Sequence, residues 1–508
     1  MQISVTEMQI REDRRAAVLS CEIRTFGGFI YGTRRKKLGV VKLTFFAIGT
    51  TLATGVFSIS GDFAAAGAHA GAVLIGWGIC LVGMLGLAMT FYKLSVVRPD
   101  LTSGISNYAR EGFGQYIGFI SAWGYWISAV LAQVTFVALL FAALGNFFPV
   151  FGEGNNLASA VVASAFIWAL TWLVYRGVNA AVGLNMFVVI VKVIPIIFAI
   201  LAIILAGAFK WENFTANFWG ASDSGSLFAQ IKSTVQITVW TFVGIEGAVV
   251  LSGRGRTTKA AGQATIYSFL SLIALYILIS VLSMGAVPFD VLAKLSNPPL
   301  AGVMEYVVGP WGGALVNIAV IMSLIGAMLP YVILCTDSSY EPAKQGIFPR
   351  FLTKMSRHNT PVWSIVGTSL VVQLFIIIMY FNSSTYQILY ALSASTIMFP
   401  YVFSACFYLK LCCKGEGLEP GNKNRFGMWL TAVIGTVYGF WLLYGSGWQY
   451  ILITSTLYFP GTILFYISKR ERNRKIFETK TDWTAFLLVG VLFVISLVCL
   501  KTGAIQPF

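Results

Sequence analysis

Long apolar runs recur along the whole chain, and they constrain the fold more than any other feature. About thirteen stretches are long and apolar enough to cross the hydrocarbon core of a bilayer as helices. We predict these helices at residues 43–67, 71–92, 116–148, 157–175, 182–208, 229–252, 265–287, 311–340, 362–381, 384–409, 427–445, 448–468 and 483–501. With 57% hydrophobic and only 11% charged residues, a soluble fold could not bury so much apolar surface. The sequence therefore predicts an all-α membrane protein of about 12–13 transmembrane helices.

The basic residues are divided unevenly between the two sides of this predicted bundle. The chain has 35 Lys and Arg against 20 Asp and Glu, and most of the basic residues lie in residues 1–42 and in alternate loops after that. This is the positive-inside pattern, which places the N-terminus in the cytoplasm. We therefore expect a multi-pass protein of a bacterial cytoplasmic (inner) membrane, with no nucleic-acid partner.

The chain divides into three regions by composition. Residues 1–37 are polar and do not read as a cleavable signal peptide, so we expect a cytoplasmic tail that is mostly disordered. Residues 38–411 contain the first ten predicted helices, and residues 412–508 contain the additional C-terminal helices. Seven Cys and two His give no paired or clustered framework for a disulfide, metal or haem site. We expect no cofactor and no metal.

Two predicted helices carry residues that disfavour a regular helix. The first contains the stretch TLATGVFSISGD at residues 51–62, and the sixth contains VGIEG at residues 243–247. Glycine loosens a helix, and irregular backbone at membrane depth is tolerated where it lines a cavity. Interrupted helices at corresponding positions of two halves indicate the binding site of a secondary transporter. Packing of small residues between helices explains any single glycine equally well.

Ionisable residues inside the apolar runs are costly and therefore mark candidate sites. Glu246 lies in the sixth helix, Lys192 in the middle of the fifth and Asp337 late in the eighth. We assign these three residues to proton coupling or gating. Lys192 could occupy the place of a coupling sodium ion, or it could form a structural ion pair. Asp62 is expected in the outer part of the first helix, outside the site.

Four segments resemble the amino acid–polyamine–organocation superfamily, and more closely its bacterial basic amino acid/polyamine antiporters. They are GTTLATGVF, SAWGYWISAVLAQVTFVALLFAALGNFFP, VWTFVGIEGAVVLSGRGR and KQGIFPRFLTKMSRHNTPV, and the likeness runs from about residue 38 to 470. It implies a LeuT-like fold, in which ten core helices form two inverted repeats and helices one and six are broken. It also raises a homodimer as a candidate assembly.

The resemblance implies where the substrate lies. The broken first helix holds the α-groups of an amino acid, Trp240 stacks on the cationic side chain, and Glu246 matches an acid linked to proton sensing. Tyr331 matches an aromatic gate on the eighth helix. The implied substrate-binding residues are Thr50, Thr51, Ala53, Thr54, Gly55, Tyr125, Ser128, Ala129, Gln133, Trp240, Gly244 and Tyr331.

The implied function is exchange of an arginine-like amino acid for ornithine, agmatine or another diamine by alternating access. One alternative is a proton-coupled uniporter or symporter of neutral or aromatic amino acids. Another is an exchanger of an amino acid and its decarboxylation product, such as histidine/histamine or tyrosine/tyramine. A channel would need a repeated filter motif, which is not seen. An enzyme is disfavoured because no HExxH, Ser/His/Asp set or phosphate loop occurs.

Overall fold

A computed structural model describes residues 39–52, 54–101, 104–177, 181–222, 224–246, 258–382, 385–418 and 421–505. The predicted tail at residues 1–37 lies outside these ranges, and so do residues 247–257, which include the last glycine of VGIEG. The three-region division of the chain stays a prediction.

The first half of the described chain is helical over most of each predicted membrane span. Its helices are α1 Val40–Thr51, α2 Ile59–Ala65, α3 Ala70–Val97, α4 Ile105–Phe113, α5 Gln115–Gly145, α6 Leu157–Tyr175, α7 Ala181–Leu205, α8 Trp211–Thr215 and α9 Leu227–Phe242. Short 3-10 turns lie at Gly55–Phe57 and Pro149–Phe151. The first predicted span, 43–67, is therefore two helices, α1 and α2, joined by an irregular segment.

The second half continues the same pattern. Its helices are α10 Thr258–Ala286, α11 Phe289–Leu292, α12 Pro299–Val308, α13 Pro310–Lys344, α14 Val362–Asn382, α15 Tyr386–Lys414, α16 Arg425–Ser446, α17 Trp448–Tyr458, α18 Thr462–Arg470 and α19 Lys480–Lys501. Two further 3-10 turns lie at Arg350–Thr353 and Phe459–Gly461. The last of these joins α17 to α18 within the single predicted span 448–468.

Ten helical spans in the described part of the chain are long and apolar enough to cross a membrane. Each coincides with a predicted span. The other three predicted spans fall on the interrupted α1–α2 pair, on α7 and on α9, which is 16 residues long. The prediction of an all-α, multi-pass membrane protein is confirmed, whereas the inverted repeat stays a prediction.

The centre of the bundle is α5, which packs along α13 and α15. Nearly all of the apolar stretch of α5 is buried, as is most of that of α15, whereas α19 buries very little of its apolar stretch. Exposed apolar side chains on α19 would contact lipid. The site residues predicted on α5 therefore lie on the most enclosed helix of the bundle.

One buried carboxylate fastens α19 to this central helix. Asp482 is fully buried and its Oδ1 accepts a hydrogen bond from the backbone N–H of Tyr116 in the first turn of α5 at 2.8 Å. Its Oδ2 accepts from the backbone N–H of Thr479 at 3.0 Å, which completes a capping box at the start of α19. The same side chain thus satisfies N-terminal backbone donors of two helices.

Candidate functional site

The first helix is interrupted where the sequence contains ATG. α1 ends at Thr51, and Leu52 has the non-helical backbone angles φ −68° and ψ 89°. Gly55 begins a 3-10 turn, and α2 begins only at Ile59. Thr51, Thr54 and Gly55 are buried. The predicted break is therefore present, and it leaves backbone groups outside regular helical hydrogen bonding.

The sixth predicted helix is interrupted at VGIEG. α9 ends at Phe242, and Val243 has an extended ψ of 126°. Gly244 follows with φ +102°, a backbone region that side chains with a Cβ rarely adopt. Glycine at this position therefore allows the chain to leave the helix within two residues.

The two breaks pack directly against each other. A Cβ added at Gly55 would lie 2.8 Å from Thr241 Cγ2 and 3.3 Å from Trp240 Cδ1. Any larger residue would therefore push α9 away from the first helix. This close approach brings the predicted residues of the first break to the indole of Trp240.

Tyr386 joins both breaks to α15. Its hydroxyl accepts a hydrogen bond from Trp240 Nε1 at 3.0 Å and donates to Thr54 Oγ1 at 3.1 Å. It also lies 3.2 Å from Ser58 Oγ. The indole of Trp240 is buried and stacks on the ring of Tyr390, with centroids 5.8 Å apart and planes inclined by 18°. One face of the indole is thus covered by Tyr390.

Glu246 is held by three hydrogen-bond donors from three elements. Oε1 accepts from the hydroxyl of Tyr125 on α5 at 3.0 Å. Oε2 accepts from the hydroxyl of Tyr401 on α15 at 2.6 Å and from the backbone N–H of Gly244 at 3.1 Å. We call Glu246, Tyr125 and Tyr401 the carboxylate cage. The cage connects the break after α9 to the two central helices.

Small and hydroxyl side chains line the contact between α5 and α15. Ser128 and Ser393 exchange hydrogen bonds, since each hydroxyl donates to the backbone carbonyl of the other at 2.8 Å. Gln133 is buried further along α5. The predicted residues Ser128 and Gln133 therefore lie on the enclosed side of α5.

A second contact joins α5 to α13. The backbone carbonyl of Ala129 accepts from Cys335 Sγ at 3.4 Å. Tyr331 packs edge-on against Phe136 with ring centroids 4.6 Å apart, and Phe136 in turn contacts Trp240. Tyr331 thus reaches the indole through Phe136.

Lys192 on α7 contacts the first break. Its ammonium Nζ donates to the backbone carbonyl of Leu52 at 3.0 Å, and the side chain is buried. Among the ion pairs between described residues, none joins Lys192 to Asp337. Among the described residues, the partner of Lys192 is therefore a carbonyl freed by the end of α1, and the structural ion pair that was the alternative is not seen there.

Asp337 lies away from these contacts. It is half-buried on α13, six residues after Tyr331, and its charged neighbours are Glu341 and Lys344.

Two other predicted residues are not fully described by the structure. Ala53 and the side chain of Thr50 lie outside the described residues.

Sequence reasoning missed the contributions of α15. Tyr386, Tyr390, Ser393 and Tyr401 all contact predicted site residues. Their spacing of four, three and eight residues follows helical periodicity and places them near one face of α15. That face was visible in the sequence, but nothing local indicated what it would meet.

Comparison with known proteins agrees with this architecture. A sequence profile of the amino acid permease family matches residues 38–450. An arginine/ornithine antiporter of Pseudomonas aeruginosa is 41% identical over 450 residues, covering 87% of this chain and 93% of that protein. An arginine/agmatine antiporter of Chlamydia pneumoniae is 35% identical over 480 residues, covering 93% and 98%. An arginine/ornithine antiporter of Latilactobacillus sakei is 36% identical over 470 residues, covering 91% and 97%.

These matches confirm the resemblance inferred from the sequence, including the expectation of a transporter and not an enzyme. The chain belongs to the amino acid permease family and is a multi-pass membrane transporter of that family.

Proposed function

We propose that this protein exchanges a cationic amino acid for a related amino acid or amine by alternating access across a bacterial cytoplasmic membrane. The observation that carries the proposal is the contact of two interrupted helices at Gly55 and Trp240. This contact brings backbone groups outside regular helical hydrogen bonding next to an aromatic ring in one enclosed place. Its closely similar relatives carry the names arginine/ornithine antiporter and arginine/agmatine antiporter.

The substrate's α-groups would lie at the first break. Backbone N–H and carbonyl groups between Leu52 and Ser58 are the natural partners of an α-carboxylate and an α-ammonium. The side-chain cation would lie on the face of the Trp240 indole that Tyr390 does not cover. A guanidinium or ammonium over Trp is the most favourable cation–π pair. Ser128 and Gln133 on α5, with Tyr331 beyond Phe136, would bound the side chain.

The carboxylate cage would govern opening. In alternating access, α1–α2, α3, α9 and α10 would rock against α5, α6, α13 and α14. Glu246 follows α9, and Tyr125 lies on α5, so this movement must separate an acceptor from its donor. Protonation of Glu246 weakens the same hydrogen bonds because a neutral acid is a poorer acceptor. Glu246 would therefore link exchange to proton concentration.

Lys192 would take the place of a coupling cation. Its ammonium already contacts the Leu52 carbonyl, a position that an inorganic cation would otherwise fill. Exchange should consequently proceed without sodium. Asp337 remains a gating candidate on α13, and a homodimer remains a candidate assembly.

The orientation follows from charge. Alternate loops rich in Lys and Arg would face the cytoplasm, which places the start of α1 inside and the loop between α11 and α12 outside. Cysteine labelling by an impermeant reagent in intact cells would test this. Reagent should reach a cysteine introduced at exposed Lys294 and should not reach one introduced at exposed Lys354.

Reconstituted vesicles give the decisive test of exchange. Vesicles loaded with ornithine or agmatine should take up labelled arginine, and vesicles loaded with buffer alone should not. Equal uptake by empty vesicles would contradict exchange, and no uptake of any basic amino acid or diamine would contradict the substrate class. Replacing external sodium with choline should leave the rate unchanged.

A proton-coupled importer is the second candidate, because Glu246 and Lys192 would also suit a proton carrier. A pH gradient that drives uptake into empty vesicles would favour it over exchange.

A further inference from the structure

A second buried acid lies in α2, beyond the first break. Asp62 was expected in the outer part of the first helix, outside the site, and the structure shows that it is only 3% exposed. It is four residues after Ser58, so the two side chains lie on one face of the helix. Seven residues separate it from Gly55, which is about 10 Å at the helical rise. Asp62 is therefore enclosed in the bundle but is too far away to meet groups bound at the break.

One amide binds this carboxylate, and a second amide binds the first. Gln387 Nε2 donates to Asp62 Oδ1 at 3.0 Å and to Asn297 Oδ1 at 3.0 Å. Asn297 Nδ2 donates back to Gln387 Oε1 at 3.3 Å. Both amides are half-buried, and Asn297 belongs to the loop between α11 and α12. The pair thus connects the carboxylate to a loop that the proposed orientation places outside.

The other carboxylate oxygen has nothing to bind. Asp62 Oδ2 is buried and makes no hydrogen bond to any described residue, although the hydroxyls of Ser58 and Tyr390 lie nearby. None of the ion pairs between described residues involves Asp62. An ionised carboxylate here has no cation beside it among the described residues. Burying an ionised carboxylate without a cation is costly, so a cation supplied from outside the protein would stabilise it.

We propose that Asp62 is an outer binding station for the side-chain cation of the substrate, an ammonium or guanidinium, on its way to the break. The cation would displace the Gln387 amide from Oδ1 and engage both oxygens of the carboxylate. This proposal rests on the proposed exchange of cationic substrates. A metal ion fits less well, because Gln387 directs N–H groups at the carboxylate and no group of three acid, His or Cys ligands occurs among the described residues.

Hydroxyl groups lie between Asp62 and the break. Ser58 lies one turn from Asp62 towards the break, and its hydroxyl is 3.2 Å from that of Tyr386. Tyr386 in turn contacts Thr54 and Trp240. A cation leaving Asp62 would therefore pass hydroxyl groups before it reaches the indole.

Substitution of the charge alone tests the station. Asp62→Asn keeps the size and the acceptor for Gln387. Its kcat/KM for labelled arginine in ornithine-loaded vesicles should fall at least about tenfold, mainly through KM, as expected for loss of a charge-assisted pair. Citrulline has nearly the shape of arginine without the side-chain charge, and its inhibition constant should stay unchanged. Asp290→Asn removes an exposed acid on α11. It should change neither the kcat/KM for arginine nor the inhibition constant of citrulline.

Three results would overturn the station. They are an unchanged KM for arginine in Asp62→Asn, an equal loss for arginine and citrulline, and a requirement for sodium that the substitution abolishes. If Asp62→Asn does not fold, Gln387→Lys supplies a fixed cation beside the carboxylate and should raise the KM for arginine in the same way. An unchanged KM in that variant also refutes the station. Failure of the wild-type protein to exchange any cationic substrate would instead refute the proposed function.

Discussion

Replacing Glu246 with Gln tests the carboxylate cage most directly. Three donors point at this side chain, namely the hydroxyls of Tyr125 and Tyr401 and the backbone N–H of Gly244. Gln has one acceptor oxygen and an NH₂ group that only donates. If its oxygen faces Tyr401 and Gly244, its NH₂ faces Tyr125, whose hydroxyl must rotate to accept. The variant therefore keeps the shape of the cage and loses its charge.

The size of the effect follows from these three bonds. Hydrogen bonds to a charged group contribute about 1.5–3 kcal/mol and neutral ones about 0.5–1.5 kcal/mol, so each bond weakens by about 1 kcal/mol. The closed cage would lose about 2–3 kcal/mol of stabilisation in total. Since 1.4 kcal/mol is a factor of ten in an equilibrium constant, the equilibrium between closed and open cage would shift about 30- to 150-fold towards the open cage.

The assay is arginine/ornithine exchange in vesicles over a range of pH. In the wild-type protein, lowering the pH protonates Glu246, weakens the cage and should raise the exchange rate. Glu246→Gln resembles the protonated state at every pH. We expect its rate to be nearly independent of pH and close to the wild-type rate at low pH.

A matched control is Glu305→Gln, which removes an exposed acid on α12 and should keep the wild-type pH profile. If Glu246→Gln retains the wild-type slope, the cage does not sense protons. If it abolishes exchange at all pH values although the protein folds, the carboxylate acts in some way other than as a releasable acceptor.

Substitutions at three further residues test the remaining elements. Trp240→Leu should abolish exchange because it removes the cation–π surface, although the protein should be expressed normally. Trp240→Phe should retain part of the exchange activity. Full exchange by Trp240→Leu would show that the substrate binds elsewhere. Lys192→Met should reduce the exchange rate about tenfold or more, because it leaves the Leu52 carbonyl unpaired at a cost of about 1–3 kcal/mol. A wild-type exchange rate in this variant would exclude a role of the Lys192–Leu52 hydrogen bond in transport. Asp482→Ala should lower the melting temperature in detergent, since unpaired backbone donors cost about 1–3 kcal/mol each. Asp482→Asn keeps an acceptor and should melt closer to the wild-type temperature, and an unchanged melting temperature in the Ala variant would show that the link to α5 is not stabilising.

Much of the fold could be predicted because the constraint is local. A helix that crosses a bilayer must satisfy its own backbone groups and present apolar side chains over a fixed length. Both conditions can be read from about 20 consecutive residues. The boundary between α14 and α15 near residue 382 was therefore found from sequence, and so was the one between α16 and α17 near residue 446.

The breaks in the first and sixth helices were also predicted, since glycine, threonine and a buried acid at membrane depth are local signals. The sequence also placed Asp62 in the outer part of the first helix, and it lies in α2, beyond the break. What the sequence did not indicate is that Gln387, itself bonded to Asn297, would bind its carboxylate. Burial of a residue near a helix end depends on which loop folds over it, and a loop from another part of the chain does so here.

The sequence by itself determined that this chain is a multi-pass helical membrane protein with two interrupted helices, because hydrophobic length and backbone freedom are properties of short segments. Only the tertiary structure decided the partners across the interior. Lys192 meets the carbonyl of Leu52, Glu246 meets Tyr401, and Trp240 meets Tyr386. Helical periodicity indicates which residues share a face, but which faces meet depends on the packing of all the helices together.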